Sequence, residues 1–159
     1  MNITILCVGK IKEIYLRDGI AEYAKRLSRY VKLTVTEVAD EKTPESASES
    51  ENIKIIHTEG DRLLAKIKDS DYVCALAIDG KMYSSEEFSD YLAKVQITSK
   101  GNLVFVIGGS LGLSSAVLSR ANDKISFSKM TFPHQLMRMI VLEQIYRGYR
   151  IMNHEPYHK

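Results

Sequence analysis

The strongest restriction on the fold comes from short apolar runs that alternate with longer segments of helical periodicity. Runs of strand length lie at about 2–8, 33–38, 72–78, 103–107 and 124–128, and between them apolar residues recur at three- and four-residue steps. The continuous apolar character of 72–78 and 103–107 is typical of strands that are buried on both faces of a sheet. This order predicts an α/β domain whose mostly parallel sheet has about five strands with helices on both faces.

Length and composition indicate one globular domain over residues 1–159, since 45% of the residues are hydrophobic and 26% are charged. No apolar run approaches the roughly 20 residues that span a bilayer, and the first residues do not have the pattern of a secretory signal. We therefore expect a cytoplasmic protein with no membrane partner. Cys7 and Cys74 lie in apolar runs and the histidines do not have metal-ligand spacing, so no metal site is expected.

Charge is distributed unevenly along the chain. The formal net charge of +2 is too small to indicate nucleic-acid binding by itself. However, residues 41–51 are acidic and serine-rich, whereas residues 120–159 contain seven lysines and arginines against three carboxylates. We expect any polyanion to contact the C-terminal third of the chain.

A glycine-rich turn, Gly108-Gly109-Ser110-Leu111-Gly112, directly follows the apolar run 103–107. Ligands of open α/β sheets bind at the carboxyl ends of the strands, which here means the loops after Ile78, Ile107 and Phe127. The turn does not match a phosphate-binding P-loop, which ends in Gly-Lys-Ser/Thr, or a Rossmann GxGxxG fingerprint. From the pattern alone, a backbone-lined ligand site and a simple tight turn are equally acceptable. Asp79-Gly80 predicts another turn, directly after the strand that ends at Ile78.

The end of the chain combines phosphate-binding, stacking and titratable side chains. Arg147, Arg150, Tyr157 and His158 are the residue types that an RNA-modifying site uses. On these and other motifs the sequence resembles the RlmH (YbeA-like) family of SPOUT methyltransferases almost from end to end. The matching blocks are Val8-Gly9-Lys10, Glu22-Tyr23-Ala24-Lys25-Arg26-Leu27, Phe105-Val106-Ile107-Gly108-Gly109 with Gly112, Met130-Thr131-Phe132-Pro133-His134-Gln135-Leu136, Glu143-Gln144-Ile145-Tyr146-Arg147 and Pro156-Tyr157-His158-Lys159.

This resemblance implies a SPOUT-type α/β knot, with a deep trefoil knot in the C-terminal half, and a homodimer whose sites lie near the subunit boundary. It also implies that S-adenosylmethionine binds in the knot. Many members have glycine shortly before the final Pro-Tyr-His, where this chain has Asn153-His154-Glu155. The cofactor-binding residues that the resemblance implies are Leu76, Gly108, Phe127, Ser128, Lys129, Met130, Thr131 and Phe132.

The activity implied by the resemblance is methylation of N3 of a pseudouridine in large-subunit (23S) ribosomal RNA, either free or in the assembled ribosome. Arg147 would contact a phosphate or developing charge, Tyr157 would stack on or hydrogen-bond the base, and His158 would remove a proton or position the base. Without the resemblance, Arg147 reads as a solvated helix residue and His158 as an exposed terminal histidine. His134 is expected to brace the start of the last helix.

Two other functions fit part of the pattern. A nicotinamide-dependent oxidoreductase would explain the glycine turn, but the fingerprint spacing and its acidic ribose ligand are missing. A non-catalytic ribosome-binding or assembly factor would explain the basic C-terminal segment equally well. The last predicted helix is apolar over so much of its circumference that we expect part of it to contact a second subunit. The residues in question are Leu136, Met139, Ile140, Leu142, Ile145, Tyr146 and Tyr149.

Overall fold

A computed structural model describes residues 1–159 and contains five strands and five helices. In chain order, the elements are β1 (Asn2–Val8), α1 (Ile14–Leu27), β2 (Lys32–Val38), α2 (Glu49–Leu64), β3 (Tyr72–Met82), α3 (Ser85–Thr98), β4 (Leu103–Ile107), α4 (Ser115–Arg120), β5 (Asp123–Ser126) and α5 (His134–Met152). The strands form one sheet in the order β2-β1-β4-β3-β5, and every neighbouring pair is parallel. The predicted α/β architecture is therefore confirmed, whereas the trefoil knot stays a prediction.

Two apolar clusters lie on the two faces of the sheet, because successive side chains of a strand point to opposite sides. In β1, Ile3, Ile5 and Cys7 belong to the larger cluster, which also contains side chains of α1, α3 and α5. Leu6 and Val8 belong to the smaller cluster, with side chains of α2 and α4. The sheet is thus covered by helices on both faces, as predicted, and both cysteines are free and buried.

The predicted turn at Asp79-Gly80 is wrong, because β3 continues through these residues to Met82. The register against β5 shifts between Leu76 and Lys81, so the intervening residues bulge away from regular pairing. A Cβ atom on Gly80 would lie 2.6 Å from the Ile125 carbonyl carbon, so glycine allows the two backbones to approach closely. Asp79-Gly80 therefore marks an irregularity within β3 and not the end of this strand.

Arg138 fixes the start of α5 to the carboxyl end of β1. Its side chain is buried and donates hydrogen bonds to the backbone oxygens of Val8 (2.9 Å) and Gly9 (2.6 Å). The carboxylate of Glu37 lies 3.6 Å from the guanidinium and balances part of its charge. Arg138 is therefore unavailable to a polyanion, so one of the seven basic residues counted in 120–159 cannot make the contact expected there.

None of the five helices combines the length and the apolar composition needed to cross a membrane. The structure also contains no group of three or more His, Cys, Asp or Glu side chains placed to hold a metal ion. The architecture leaves the carboxyl ends of β3, β4 and β5 beside the first turn of α5, and the candidate site is at this edge.

Candidate active site at the carboxyl edge of the sheet

A cavity of about 860 Å³ lies at the carboxyl edge of the sheet. It is lined by residues 76–78 of β3, 107–112 after β4, 125–128 at the end of β5, and 130–135 leading into α5. This cavity is called the cleft below. The three loops that were predicted to carry a ligand site therefore meet at one place, although the first of them proves to be the irregular part of β3.

The glycine turn has a shape that side chains would disturb. A Cβ atom on Gly108 would lie 2.7 Å from both the carbonyl carbon and the carbonyl oxygen of Gly112. Gly112 has a φ of +85°, in the left-handed region that favours glycine, and its N–H donates to the Gly109 oxygen at 3.1 Å. The turn thus folds back on itself, and its three glycines expose backbone to the cleft.

The segment from Phe127 to Phe132, called the connector below, forms the opposite wall. The Ser126 hydroxyl donates to the Ser128 carbonyl at 3.0 Å, and the Met130 N–H donates to the Ser128 hydroxyl at 2.9 Å, so local hydrogen bonds shape this wall. The Met130 side chain is 75% exposed at the mouth of the cleft. An entering ligand would cover this apolar surface.

Seven of the eight predicted cofactor residues line the cleft; the exception is Lys129, which is exposed to solvent. Sequence reasoning missed other lining residues, including Ile107, Pro133 and His134. His134 is half-buried, and its Nδ1 atom is buried without a hydrogen-bond partner. Burial, followed by the charge of Arg138, lowers the pKa of His134, so its neutral form is favoured. The available sequence signal for His134 was Pro133, which directly precedes it as the N-cap of α5.

Arg147, Tyr157 and His158 come together on the outer side of α5. The Arg147 guanidinium lies 4.6 Å from the centre of the Tyr157 ring, and its Nη1 atom is 3.4 Å from Nδ1 of His158. Glu143 accepts hydrogen bonds from Arg147 at 2.6 Å and from the Tyr157 hydroxyl at 3.1 Å. None of the three predicted catalytic residues lines the cleft of its own chain.

The tail, residues 155–159, is held by further ionic contacts. Glu155 accepts from Arg150 at 2.5 Å and from Arg29 at 3.0 Å, and it also accepts from the Tyr30 hydroxyl. His158 Nε2 lies 2.8 Å from a carboxylate oxygen of Glu86, which is exposed. Burial and the Glu143 carboxylate together raise the pKa of the Tyr157 hydroxyl to about 12, so this group remains protonated near neutral pH.

The residue before Glu155 adopts a backbone conformation that favours glycine. His154 has a φ of +54° and is the only non-glycine residue of the chain with a positive φ. Its N–H donates to the Ile151 oxygen at 3.0 Å, which closes the turn after α5. The chain therefore takes up a glycine-like conformation here with a histidine, at some conformational cost.

Comparison with protein families adds the decisive observation. The family model described as "Predicted SPOUT methyltransferase" matches residues 1–158, which is nearly the whole chain. This chain belongs to the SPOUT methyltransferase family. As a SPOUT methyltransferase it is an enzyme that uses a methyl donor, and its cleft is the candidate donor site.

Curated relatives agree with this assignment at high identity. A protein of Clostridium tetani is 60% identical over 159 residues, and proteins of Clostridium novyi and Listeria monocytogenes are each 59% identical over the same length. In each case the match covers 100% of both chains. All three relatives are called ribosomal RNA large subunit methyltransferase H. This SPOUT methyltransferase thus matches them over their full length.

Proposed function

We propose that this chain is an S-adenosylmethionine-dependent methyltransferase that methylates N3 of a pseudouridine in large-subunit ribosomal RNA. The observation that carries the proposal is the cleft, in which the glycine turn and the connector face each other in a member of a methyltransferase family. The names of the full-length relatives support ribosomal RNA as the substrate. The proposal also implies that the protein works in the cytoplasm, where ribosomes are found.

The residues of the cleft fit the proposed cofactor. Small-molecule sites typically have volumes of ~300–1,000 Å³ and combine apolar walls with a few polar groups. Here, Leu76, Ile107 and Phe127 supply apolar surface, while the backbone around Gly108 and the connector supplies N–H and C=O groups. Bound in this way, S-adenosylmethionine would supply a methyl group that its sulfonium already activates, so no metal is required. Leu76 and the connector would hold the adenine, and the Gly108 backbone would approach the nucleoside closely.

The tail supplies groups suited to the RNA. Methylation at N3 forms a nitrogen–carbon bond while a carbon–sulfur bond breaks, and the N3 proton passes to a base. We assign proton removal or base positioning to His158, base contact to Tyr157, and contact with phosphate or developing charge to Arg147. Each of these side chains now contacts a carboxylate or a neighbouring member of the group, so RNA binding would replace contacts to Glu143 and Glu86.

In a homodimer, the tail of one chain would lie near the cleft of the other chain. The structure corrects part of the sequence argument for the dimer, because Leu142, Ile145 and Tyr149 are buried within their own chain. Leu136 and Met139 remain partly exposed on α5. We propose that this smaller apolar surface contacts a second copy, and that the partner's tail completes the site at the subunit boundary.

Mass spectrometry of ribosomal RNA tests the reaction directly. Large-subunit RNA from cells that lack this protein should have lost one methyl group on a pseudouridine, and expression of the wild-type chain should restore it. Purified protein should also transfer a labelled methyl group from S-adenosylmethionine to ribosomes that lack the modification. An unchanged modification pattern, together with tight ribosome binding and no transfer, would support the alternative of a non-catalytic ribosome-binding or assembly factor.

A further inference from the structure

A second cavity of about 290 Å³ adjoins the cleft beside the connector. It is bounded by the start of α3, by the outward face of α5 and by the connector itself. Four residues line both cavities, which therefore adjoin one another: Ile125, Ser126, Phe127 and Phe132. The second cavity is called the side pocket below. Its volume lies near the lower limit of small-molecule sites, which suits a single ring better than a nucleoside cofactor.

The side pocket is walled by aromatic rings. Tyr83 and Phe88 lie at the start of α3, and Phe132, which is 37% exposed, lies on the connector. Phe127 contacts Phe88 edge-on at a centroid distance of 5.8 Å, so the rings support one another. A planar base removed from its RNA stack is commonly held against such rings. The pocket therefore has walls suited to a nucleobase.

Gln144 gives the side pocket a polar end with two free hydrogen-bonding positions. Its Oε1 atom accepts from the Ser85 hydroxyl at 2.9 Å, and its Nε2 atom donates to Glu143 at 2.7 Å. A side-chain amide has two N–H donors and two acceptor lone pairs, so one donor and one acceptor remain. The bonds to Ser85 and Glu143 fix the orientation of the amide, and thus the order of these two positions.

We propose that the side pocket holds the target base and that Gln144 recognises it as pseudouridine. In pseudouridine the ribose is attached to C5, so N1 carries a hydrogen next to the C2 carbonyl. Oε1 of Gln144 would accept from N1–H while Nε2 donates to O2, as in paired amides. In uridine N1 is bonded to ribose and has no hydrogen, so the Oε1 position would lose its partner. This inference rests on the function proposed above.

The same contact leaves N3 free and favours its reaction. Loss of the N3 proton places negative charge on O2 and O4, and a fixed donor to O2 stabilises that charge. Glu143 links the pocket to the tail, because it accepts hydrogen bonds from Gln144, Arg147 and Tyr157. Gln144 would therefore be a specificity-determining residue in a pocket that adjoins the cleft.

Methyl transfer to two kinds of ribosome tests the assignment. The substrates are ribosomes with pseudouridine at the target position and ribosomes with uridine there, prepared from cells lacking the pseudouridine synthase. For the wild type we expect a clear preference for pseudouridine. Gln144→Met keeps the size of the side chain but removes both hydrogen bonds, and it should lower kcat/KM for pseudouridine ribosomes by ~10–100-fold. Transfer to uridine ribosomes should fall less, because uridine loses only the donor to a ring carbonyl, so the preference for pseudouridine should decrease.

Gln144→Glu retains the acceptor for N1–H and loses the donor to O2, so it should slow transfer to both kinds of ribosome while keeping part of the preference. This variant decides the matter if the methionine variant no longer binds S-adenosylmethionine. Gln96→Met is the matched control, because Gln96 lies on α3 outside both cavities. Retention of the full preference by the Gln144 variants, or its absence in the wild type, would overturn the assignment to Gln144. If the wild type transfers no methyl group to either ribosome, it is the proposed function itself that fails.

Discussion

The cleft and the tail are built by different means. The cleft is formed by backbone and apolar side chains from four separate segments, and its shape depends on close backbone approach at Gly108. The tail is held mainly by ionic and hydrogen-bond contacts of partly exposed side chains, with Glu143, Glu86 and Glu155 as acceptors. Packing of the first kind is rigid, whereas exposed ion pairs contribute little stability and exchange readily.

This difference indicates that the cleft and the tail have separate roles. A preformed cleft can bind a small cofactor with little reorganisation, because its walls already have the required shape. A tail that rests on replaceable carboxylates can leave them when an RNA phosphate or base offers a better partner. Substitutions in the cleft should therefore affect cofactor binding, and substitutions in the tail should affect methyl transfer to RNA. The predictions below test this separation.

The largest separation is expected for the double variant Tyr157→Phe, His158→Ala. Loss of a proton-accepting group and of a base contact should reduce methyl transfer to ribosomes by ~10²–10⁴-fold. Affinity for S-adenosylmethionine, measured by calorimetry, should be unchanged because neither side chain lines the cleft. A variant with wild-type transfer would remove the tail from the mechanism.

Gly108→Ala should produce the opposite pattern. The added methyl group would lie 2.7 Å from the Gly112 backbone, so the turn must open. Cofactor affinity should fall by ~100-fold, which corresponds to a few kcal/mol of strain. Gly112→Ala is the control, because a Cβ atom there meets nothing within 4 Å and only the positive φ is unfavourable. Its loss of affinity should stay near ~10-fold, and equal losses in the two variants would contradict the role of close approach.

Glu86→Gln should have a small effect on the tail alone. This exposed carboxylate holds His158, so its removal should free the tail and lower KM for ribosomes by ~2–5-fold, in keeping with the weakness of exposed ion pairs. Asp90→Asn, on the same exposed helix surface, is the matched control. If KM rises with Glu86→Gln, the contact between Glu86 and His158 orders the tail for RNA binding and does not compete with RNA.

The smallest effect concerns a buried carboxylate behind the glycine turn. Glu59 is buried, and this burial raises its pKa, so its charged form is unfavourable in the folded protein. At pH 7, Glu59→Gln should therefore raise the melting temperature by about 1–3 °C. The difference should disappear as the pH falls towards the ordinary value of 4.5, because the wild type then becomes protonated and gains stability. A constant difference at every pH would exclude this cause.

Much of the fold could be predicted because the sheet is buried on both faces. The strands β1, β2 and β4 follow directly from apolar runs, and the glycine turn follows from three glycines after a buried strand. The extension of β3 past Asp79-Gly80 could not be predicted, because it depends on pairing with β5, some 45 residues later in the chain. The knot depends on the path of the chain and has no local signal.

The candidate site could also be predicted only in part. The local motifs, together with the family resemblance that they carry, predict many of the residues that line the cleft. The burial of Arg138 was missed, because the carbonyl groups that it contacts lie about 130 residues earlier in the chain. The fold-back of the tail was missed too, since it depends on carboxylates of α3 and α5 that read as ordinary surface charges. Long-range polar contacts of this kind leave no periodic pattern.

A crystal structure with S-adenosylmethionine is the most direct test of the central claim. We expect the adenine between Leu76 and the connector, the nucleoside against the Gly108 backbone, and the methyl group directed towards the side pocket. Electron density for the cofactor at another position, with the cleft empty at saturating concentration, would contradict the account.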